Sequence, residues 1–596
     1  MIFSERYYKN QISEKTEINK KLEGKIKIVG SIRLIVVIIA LISSYISYRN
    51  DRSTLFIINI LIMAALFLAL VFYHDKLYME KKRNGIIIDI NEEGLKRING
   101  EFKKFKDNGA EFLDEKHSFI NDLDVFGDSS LFQFMNTTIS KGGRLLLAKV
   151  LKREIKFNKE EILERQEAVQ ELSKKVSWRQ QIIAEGRLQR SKDIDLERFI
   201  EWGNEEKSGS SSILRIIAAG IFVAVTWICI LMSSIGILPM SFILLLLTVD
   251  YVAVKIIASP IEEDIKFFES IKENIAVYNS ILTMIDEEEF NSSLLRGLSM
   301  KLKSNNLSCR KEMQKLNNIM AWLGDSSKNM AYMLINILFF SDIYIMKRLE
   351  KWRAQNGEEL KNWMDVLHEI DALCSISNLP FEHEEWSYPV IYTENTIECI
   401  GISHPLIGKS AVKNNFSLQN KQKAALITGS NMSGKSTFLR TIGINLLLAY
   451  IGAPVSAEKL TCGIMDIYTC MRTKDNLEEN ISSFYAEILR IKLLIEACRR
   501  GEKVFFLLDE IFKGTNSKDR HIGATVLIKQ LIEYGGSGLV STHDLELCDL
   551  ESETITNYNF SEFYEDDKIK FDYILRRGKS TTQNAIHLMK LAGIEI

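Results

Sequence analysis

Proline is scarce, with six in 596 residues. A chain this poor in helix breakers is expected to run in long helices. The eight cysteines are scattered and form no CxxC pair. That argues against a zinc site or a disulfide framework and for a reducing compartment. An excess of charge of one sign is also missing. The formal net charge is −2, so no general basic field can grip nucleic acid, and only a local basic groove is left open. No internal repeat or low-complexity segment occurs. What remains is an ordinary globular share of apolar residues, 46%, in a chain long enough for several domains.

Those apolar residues cluster. After a polar, lysine-rich lead, one run covers about 31–49. A short turn, Arg49-Asn50-Asp51-Arg52-Ser53-Thr54, leads into a second run over 55–73. Each approaches the ~20 residues that span a bilayer, so the pair is expected to be a transmembrane hairpin. A signal peptide fits less well, because the polar lead is long and a second span comes at once. Lys-rich flanks at both outer ends, including Lys20, Lys21, Lys81, Lys82 and Arg83, put both ends in the cytoplasm. A second hairpin is expected within 212–258, with Asp250 inside its second span. That carboxylate either marks an ion path or makes a structural polar contact between helices. A further apolar run, Met330 to Met346, carries Asp342 and ends in Lys347-Arg348. It reads as a buried helix rather than a fifth span, because a fifth span would move the C-terminal domain across the membrane. Charged helical patterns fill the stretches between, among them Glu92 to Phe119 and Lys159 to Lys175. Most of their charges are expected on solvated faces.

From about residue 388 strands and helices alternate. Gly429-Ser430-Asn431-Met432-Ser433-Gly434-Lys435-Ser436-Thr437 follows the apolar strand 424–428 and opens a helix. Two glycines four residues apart, then Lys and Ser/Thr, form a phosphate-binding loop when a strand precedes and a helix follows. Lys435 would neutralise the outer phosphates of ATP, and Ser436 would ligate Mg²⁺. The strand Val504-Phe505-Phe506-Leu507-Leu508 ends in Asp509-Glu510. Asp509 would hold the Mg²⁺ through water, and Glu510 would polarise the attacking water. A third strand ends in Ser541-Thr542-His543-Asp544. A lone His is usually structural, but at this position His543 is placed to sense the γ-phosphate.

The loop with Asn431-Met432 at its middle, the segment Leu507 to Asn516, and Ser541 to Leu547 together resemble the MutS family of ABC-type ATPases. His404-Pro405-Leu406 and Asn415 match the family's entry to the ATPase domain. Asn480-Ile481-Ser482-Ser483-Phe484 sits where the family has its signature Gly-x-Ser-Thr-Phe, without the glycine. The resemblance implies that Ser482 reaches the partner subunit's ATP, and hence a homodimer with composite sites. Leu131 to Thr138, Gly142 to Leu146, Arg165 to Leu172 and Asp195 to Arg198 look like the family's helical core. Nothing before residue 85 can be its mismatch-reading domain, and the second apolar pair occupies the place of its DNA clamp. Gly578 to Ile586 replaces the family's Ser-Tyr-Gly pattern, though Leu591-Ala592-Gly593 is kept. No nuclease-like tail is expected.

The expected architecture is multidomain, with α-helical transmembrane hairpins, a helical lever or core, and a C-terminal α/β ABC-type P-loop ATPase domain. Its segments are 1–84 (first hairpin), 85–211 (core, first part), 212–258 (second hairpin), 259–387 (core, second part) and 388–596 (ATPase). It would be a multi-pass protein of the cell (inner or plasma) membrane, with a cytoplasmic ATPase domain and ATP and Mg²⁺ as cofactors. Its partners would be the lipid bilayer, a second copy and an unidentified protein. The expected function is a membrane-anchored, ATP-driven switch. The alternative is a membrane-associated protein that binds mismatched, branched or damaged DNA. Transport has weaker support, since four spans and one carboxylate define no substrate pathway.

Overall fold

The computed structural model describes residues 3–50, 53–188, 196–204, 213–303, 308–324, 329–419, 421–472, 483–565 and 568–580. Low proline content does translate into length. The first two helices, Phe3–Arg49 and Ser53–Ile98, are 47 and 46 residues long and pack side by side. The apolar runs are only their distal halves, and residue 84 lies inside a continuous helix rather than at a domain edge. Nearer the base, Leu22, Val29 and Leu77 form a small buried cluster, and Lys81 pairs with Glu23 at 3.5 Å. Four helices among the described residues are long and apolar enough to cross a membrane: these two, Ile213–Ser234, and the helix that begins at Met240. The apolar windows of the four are at most 17% buried.

Pro239 caps the helix Met240–Ala258. In this second pair Asp250 is buried and accepts a hydrogen bond from Thr226 at 2.6 Å, so the carboxylate faces the neighbouring helix. Two expectations fail. The helical pattern from Glu92 to Phe119 stops at Ile98, because Gly100 and Gly109 adopt left-handed backbone and the chain continues in short 3₁₀ turns. The run Met330 to Met346 is two helices, Met330–Phe339 and Ser341–Ile376, bent by 79° at a left-handed Phe340. The second continues for 36 residues as the axis of the helical region. By contrast, the helix over Lys159–Lys174 forms as expected, started by a reciprocal capping box between Asn158 and Glu161.

The long helix is tied to the start of the core by Asp371. This buried carboxylate accepts from the backbone of Ile139 and Ser140 and from the Ser140 hydroxyl. At its far end follows the short helix Asn378–Glu382. There Glu382 accepts a bidentate pair from Arg97 (2.7–3.0 Å) and a bond from Tyr8 Oη at 2.9 Å, all of it buried.

The C-terminal domain holds two sheets. Strands β1 (Val390–Tyr392), β2 (Ile397–Ile402), β3 (Asn414–Leu418) and β5 (Lys459–Gly463) make a small sheet in the order β1-β5-β2-β3. Strands β4 (Ala424–Thr428), β6 (Asp466–Cys470), β7 (Val504–Asp509), β8 (Ser537–Thr542), β9 (Ile555–Glu565) and β10 (Lys568–Arg577) make a larger one, β10-β9-β4-β8-β7-β6. All its pairings are parallel except β9 with β10. Continuous apolar strands suit a parallel sheet covered on both faces. Ala425, Ile427, Phe505 and Leu507 pack on the side of the helix Lys435–Tyr450. Leu426, Phe506 and Leu508 pack on the side of Ser483–Arg499 and Ser517–Glu533. Register aligns Thr428 with Thr542 and Asp509 with Ser541, so the tips of β4, β7 and β8 share one edge.

Breaking a buried pair from one side leaves a stranded charge, a loss of about 3–5 kcal/mol. Glu382→Ala should therefore speed amide hydrogen exchange in residues 3–12 and 90–98 far more than the double variant Arg97→Leu/Glu382→Leu does. Equal protection in both variants would count against this pair as the fastener.

Candidate nucleotide site

The loop 429–434 leaves β4 at the edge where parallel strands end, the usual seat for a ligand. Gly429 has φ 147°, and a Cβ there would lie 2.8 Å from the Phe560 carbonyl oxygen. Gly434 has φ 104° and caps the helix Lys435–Tyr450. These two positions need glycine. The helix N-terminus and the loop's backbone N–H groups thus face one concave space. Ser433 is buried with its hydroxyl unpartnered in the loop, an orphan that a phosphate oxygen would satisfy.

Lys435 is buried. Its ammonium donates to the carbonyls of Gly429 (2.9 Å) and Ser430 (3.0 Å) and lies 3.5 Å from Glu510 Oε1. Burial lowers its pKa from the ordinary value, opposed by the charge of Glu510. Glu510 follows the end of β7 in left-handed backbone, φ 51°, and its N–H donates to the Ser541 carbonyl. Such backbone is strained for a non-glycine residue and turns the carboxylate toward its partners. His543 Nε2 lies 2.6 Å from Glu510 Oε1 and 2.7 Å from Asn431 Oδ1. The hydrogen bond from His543 is the main cause holding the Glu510 pKa at about 2; burial opposes it, and Lys513 and Lys435 add to it. Asp509 accepts from the Ser541 hydroxyl. The loop, the β7 tip and the β8 tip therefore form one hydrogen-bonded network.

Beside it opens a cavity of about 450 Å³, lined among others by His404, Val412, Lys435, Ser436, Thr437 and Tyr573. Tyr573 sits at a bulge in β10 with φ 56°. Asn414 clamps that bulge, donating to the Tyr573 carbonyl (3.0 Å) and accepting from Leu575 N–H (2.7 Å). The polar end of the cavity suits phosphates and the apolar end suits a flat base. Ser436 and Asp509 offer only oxygen, the donor type Mg²⁺ prefers.

Residues 425–595 match the family model for MutS domain V. The DNA mismatch repair protein MutS of Thermotoga petrophila is 31% identical over 261 residues, which is 42% of this chain and 33% of that protein. The protein of the same name from Persephonella marina is 33% identical over 233 residues, 38% of this chain and 26% of that one. The C-terminal region is a MutS domain V. Endonuclease MutS2 of Carboxydothermus hydrogenoformans is also similar, 28% identical over 253 residues, 42% of this chain and 32% of that protein. The chain thus spans about a third of the length of these curated relatives or less.

Within this MutS domain, the structure brings together Gly429, Asn431, Ser433, Gly434, Lys435, Glu510 and His543 as one site. Ser436 and Thr437 stand in the cavity wall, and Met432 sits at the loop's crest, largely exposed. Ser482 and Leu591-Ala592-Gly593 lie outside the described residues. Asn415 accepts from Gly401 N–H at 2.8 Å and serves the small sheet, not the cavity. Sequence reading missed Val412, Asn414, Phe560 and Tyr573, which approach the loop from β3, β9, β10 and the segment before β3. It also missed Glu562, which accepts from the Ser430 hydroxyl.

His404 is pushed down to about 4, first by burial. Its unfolded value is 6.5, so the unfolded chain binds the extra proton between those two values. Stability that His404 supplies as a neutral ring is therefore present above pH 6.5 and lost as pH falls toward 4. His404→Gln should remove about 2 kcal/mol of that acid sensitivity, read as a smaller drop in thermal midpoint across this range.

Proposed function

We propose that the protein is a membrane-anchored MutS-like ATPase. ATP binding by the 429–437 loop would close two copies onto each other, and hydrolysis would release them. The observation that carries this reading is the network joining Lys435, Glu510, His543 and Asn431 at the mouth of the cavity. A β,γ-phosphate group would draw the Lys435 ammonium away from the loop's own carbonyls and from Glu510. Glu510, held ionised by His543, would then be free to accept a proton from an attacking water. His543 would register the γ-phosphate. Ser436 and Asp509 would hold Mg²⁺, which supplies charge neutralisation on the phosphates. Ser482 would complete the partner's site.

Membrane anchoring draws support from the four long apolar helices, whose apolar windows are at most 17% buried. Apolar area of that extent demands an apolar solvent. With Lys-rich residues at the bases of both first helices, the nucleotide domain would lie in the cytoplasm of a multi-pass protein of the cell (inner or plasma) membrane. The segments 1–84, 85–211, 212–258, 259–387 and 388–596 would then be hairpin, core, hairpin, core and ATPase, with the first hairpin's helices running on into the core.

DNA binding is the second reading, favoured by the relatives named for mismatch repair. Binding of a branched or mismatched duplex by the detergent-solubilised protein, falling steeply with salt, would carry it.

Lys435→Ala should weaken nucleotide binding by about 100-fold or more, because a buried charge on the phosphates is lost. Glu510→Gln should keep binding while turnover falls about 100-fold, the usual contribution of a positioned base. With saturating ATP, Glu510→Gln should run as a dimer in light scattering. Unchanged turnover would remove Glu510 from its role, and a persistent monomer would remove the composite-site reading.

A further inference from the structure

The ten-residue helix Met330–Phe339 is apolar on its outside and holds its polar Tyr332 and Asn336 on its inside. Met330, Leu334, Ile335 and Phe339 are exposed, Met330 at 75%, while Tyr332 and Asn336 are buried beside Ile337. Water would favour the reverse arrangement. The buried polar groups form a knot around the bend. Asn336 Nδ2 donates to Asp342 Oδ2 at 2.6 Å, and Tyr332 donates its hydroxyl to the other carboxylate oxygen. Asn336 Oδ1 accepts from Asp342 N–H and from the Ser341 hydroxyl, both at 3.1 Å. Phe340 N–H is bonded to the Asn336 carbonyl at 2.8 Å, and Asn329 caps the helix start. Every polar group of the break named here therefore has a partner within the protein, the condition a helix break must meet where no water is at hand.

The exposed face continues the surface of the second hairpin. The Phe339 ring lies 5.4 Å from that of Trp227, and the Phe340 ring 5.7 Å from that of Phe222. Phe222 and Trp227 are seven and twelve residues past Arg215 on the helix Ile213–Ser234, or about 10 and 18 Å along its axis. With Arg215 at the headgroups, the corner at Phe340 lies below the acyl surface. Ten residues rise only about 15 Å, half of a ~30 Å hydrocarbon layer, so the helix cannot cross. Beyond the corner the long helix carries Lys347, Arg348 and Lys351, which takes it back to the charged side.

We infer that Met330–Phe339 is a re-entrant, lipid-facing helix. It dips into one leaflet beside the second hairpin and returns at Phe340 into the long helix, so that acyl chains cover Leu334, Ile335 and Phe339. This rests on the membrane-anchored reading above. It keeps the nucleotide domain on the side of the first hairpin's base. It also makes the root of the long helix a membrane contact in its own right.

The test uses the full chain with Cys229→Ser, since the other seven cysteines are buried. Single cysteines replace Leu334 or Ile335 on the short helix, Ile221 or Leu244 on the hairpin, and Val526 on the nucleotide domain. All five residues are exposed. Each variant is spin-labelled and reconstituted in phosphatidylcholine–phosphatidylglycerol vesicles. Collision with oxygen is then compared with collision with a water-soluble nickel chelate. At 334 and 335 the oxygen-to-nickel ratio should match that at 221 and 244 and stand far above that at 526. Nickel access at 334 and 335, with lipid values at 221 and 244, would overturn the inference and leave the anchor intact. Access of neither reagent at 334 and 335 would mean a protein cover, such as a second copy, and would also overturn it. Nickel access at all four positions would overturn the anchor itself.

Discussion

The buried Arg97–Glu382 pair, completed by Tyr8, is the constraint on which the rest of the structure depends. Arg97 comes from the end of the second helix, Tyr8 from the start of the first, and Glu382 from the short helix after the long one. Taking a carboxylate and a guanidinium out of water is tolerable only while each saturates the other. The base of the first hairpin therefore cannot leave the end of the long helix without stranding a charge. Immediately after Glu382 the His383 ring stacks on Trp386 at 4.4 Å, and Ser387 pairs with Val455 in the nucleotide domain. One knot thus joins the hairpin, the helical region and the C-terminal domain.

The nucleotide site reaches that knot through a short set of contacts. Asn445, fully buried on the helix that follows the phosphate loop, donates to the Ser403 carbonyl at 3.0 Å and accepts from Ser456 N–H at 2.7 Å. Ser403, His404 and Ser456 line a second cavity, whose other wall includes Arg97, Glu382 and Trp386. His404 faces both cavities. In the proposed switch, a shift of the loop helix on phosphate binding would be passed to the strand ends that rest against the knot. The proposed switch needs two states that ATP separates by differential contacts. In that proposal the ammonium of Lys435, which donates to the carbonyls of Gly429 and Ser430, would supply such a difference by turning to phosphate.

How much of this was legible in the sequence depends on how far apart the partners lie along the chain. The phosphate loop, the Asp509-Glu510 tip and His543 each sit at the end of an apolar strand, and that context marks them locally. Parallel register then brings the three tips together, as their order implies. The apolar wall of the cavity was not legible. Val412, Phe560 and Tyr573 are single residues in unremarkable stretches, made neighbours by the β3–β10 contact through Asn414 and by the pairing of β10 with β9. Helix ends were harder still. Apolar runs mark the lipid-like half of a helix and say nothing of its polar half, so the first two helices are more than twice the length of their runs. The break at Phe340 gave no signal because neither Gly nor Pro marks it. It is held by Asn336 and Asp342, which in sequence resemble stray polar residues in an apolar run.

Lengths set the geometry of the proposed machine. Below the apolar run, the first hairpin's stalk has about 28 residues on one helix and 25 on the other, or roughly 40 Å at 1.5 Å per residue. The long helix Ser341–Ile376, with 36 residues, is about 54 Å long. Both posts end at the knot, and in the proposed bilayer both start at the same leaflet. Two posts of unequal length between the same two levels cannot both stand upright. The long helix must lean by tens of degrees, or begin below the headgroups, and a re-entrant root at Phe340 accounts for part of the excess. A leaning post converts a change at the knot into lateral movement at its foot. The foot packs on Phe222 and Trp227, so the second hairpin is the element that would move, while the first acts as the fixed strut.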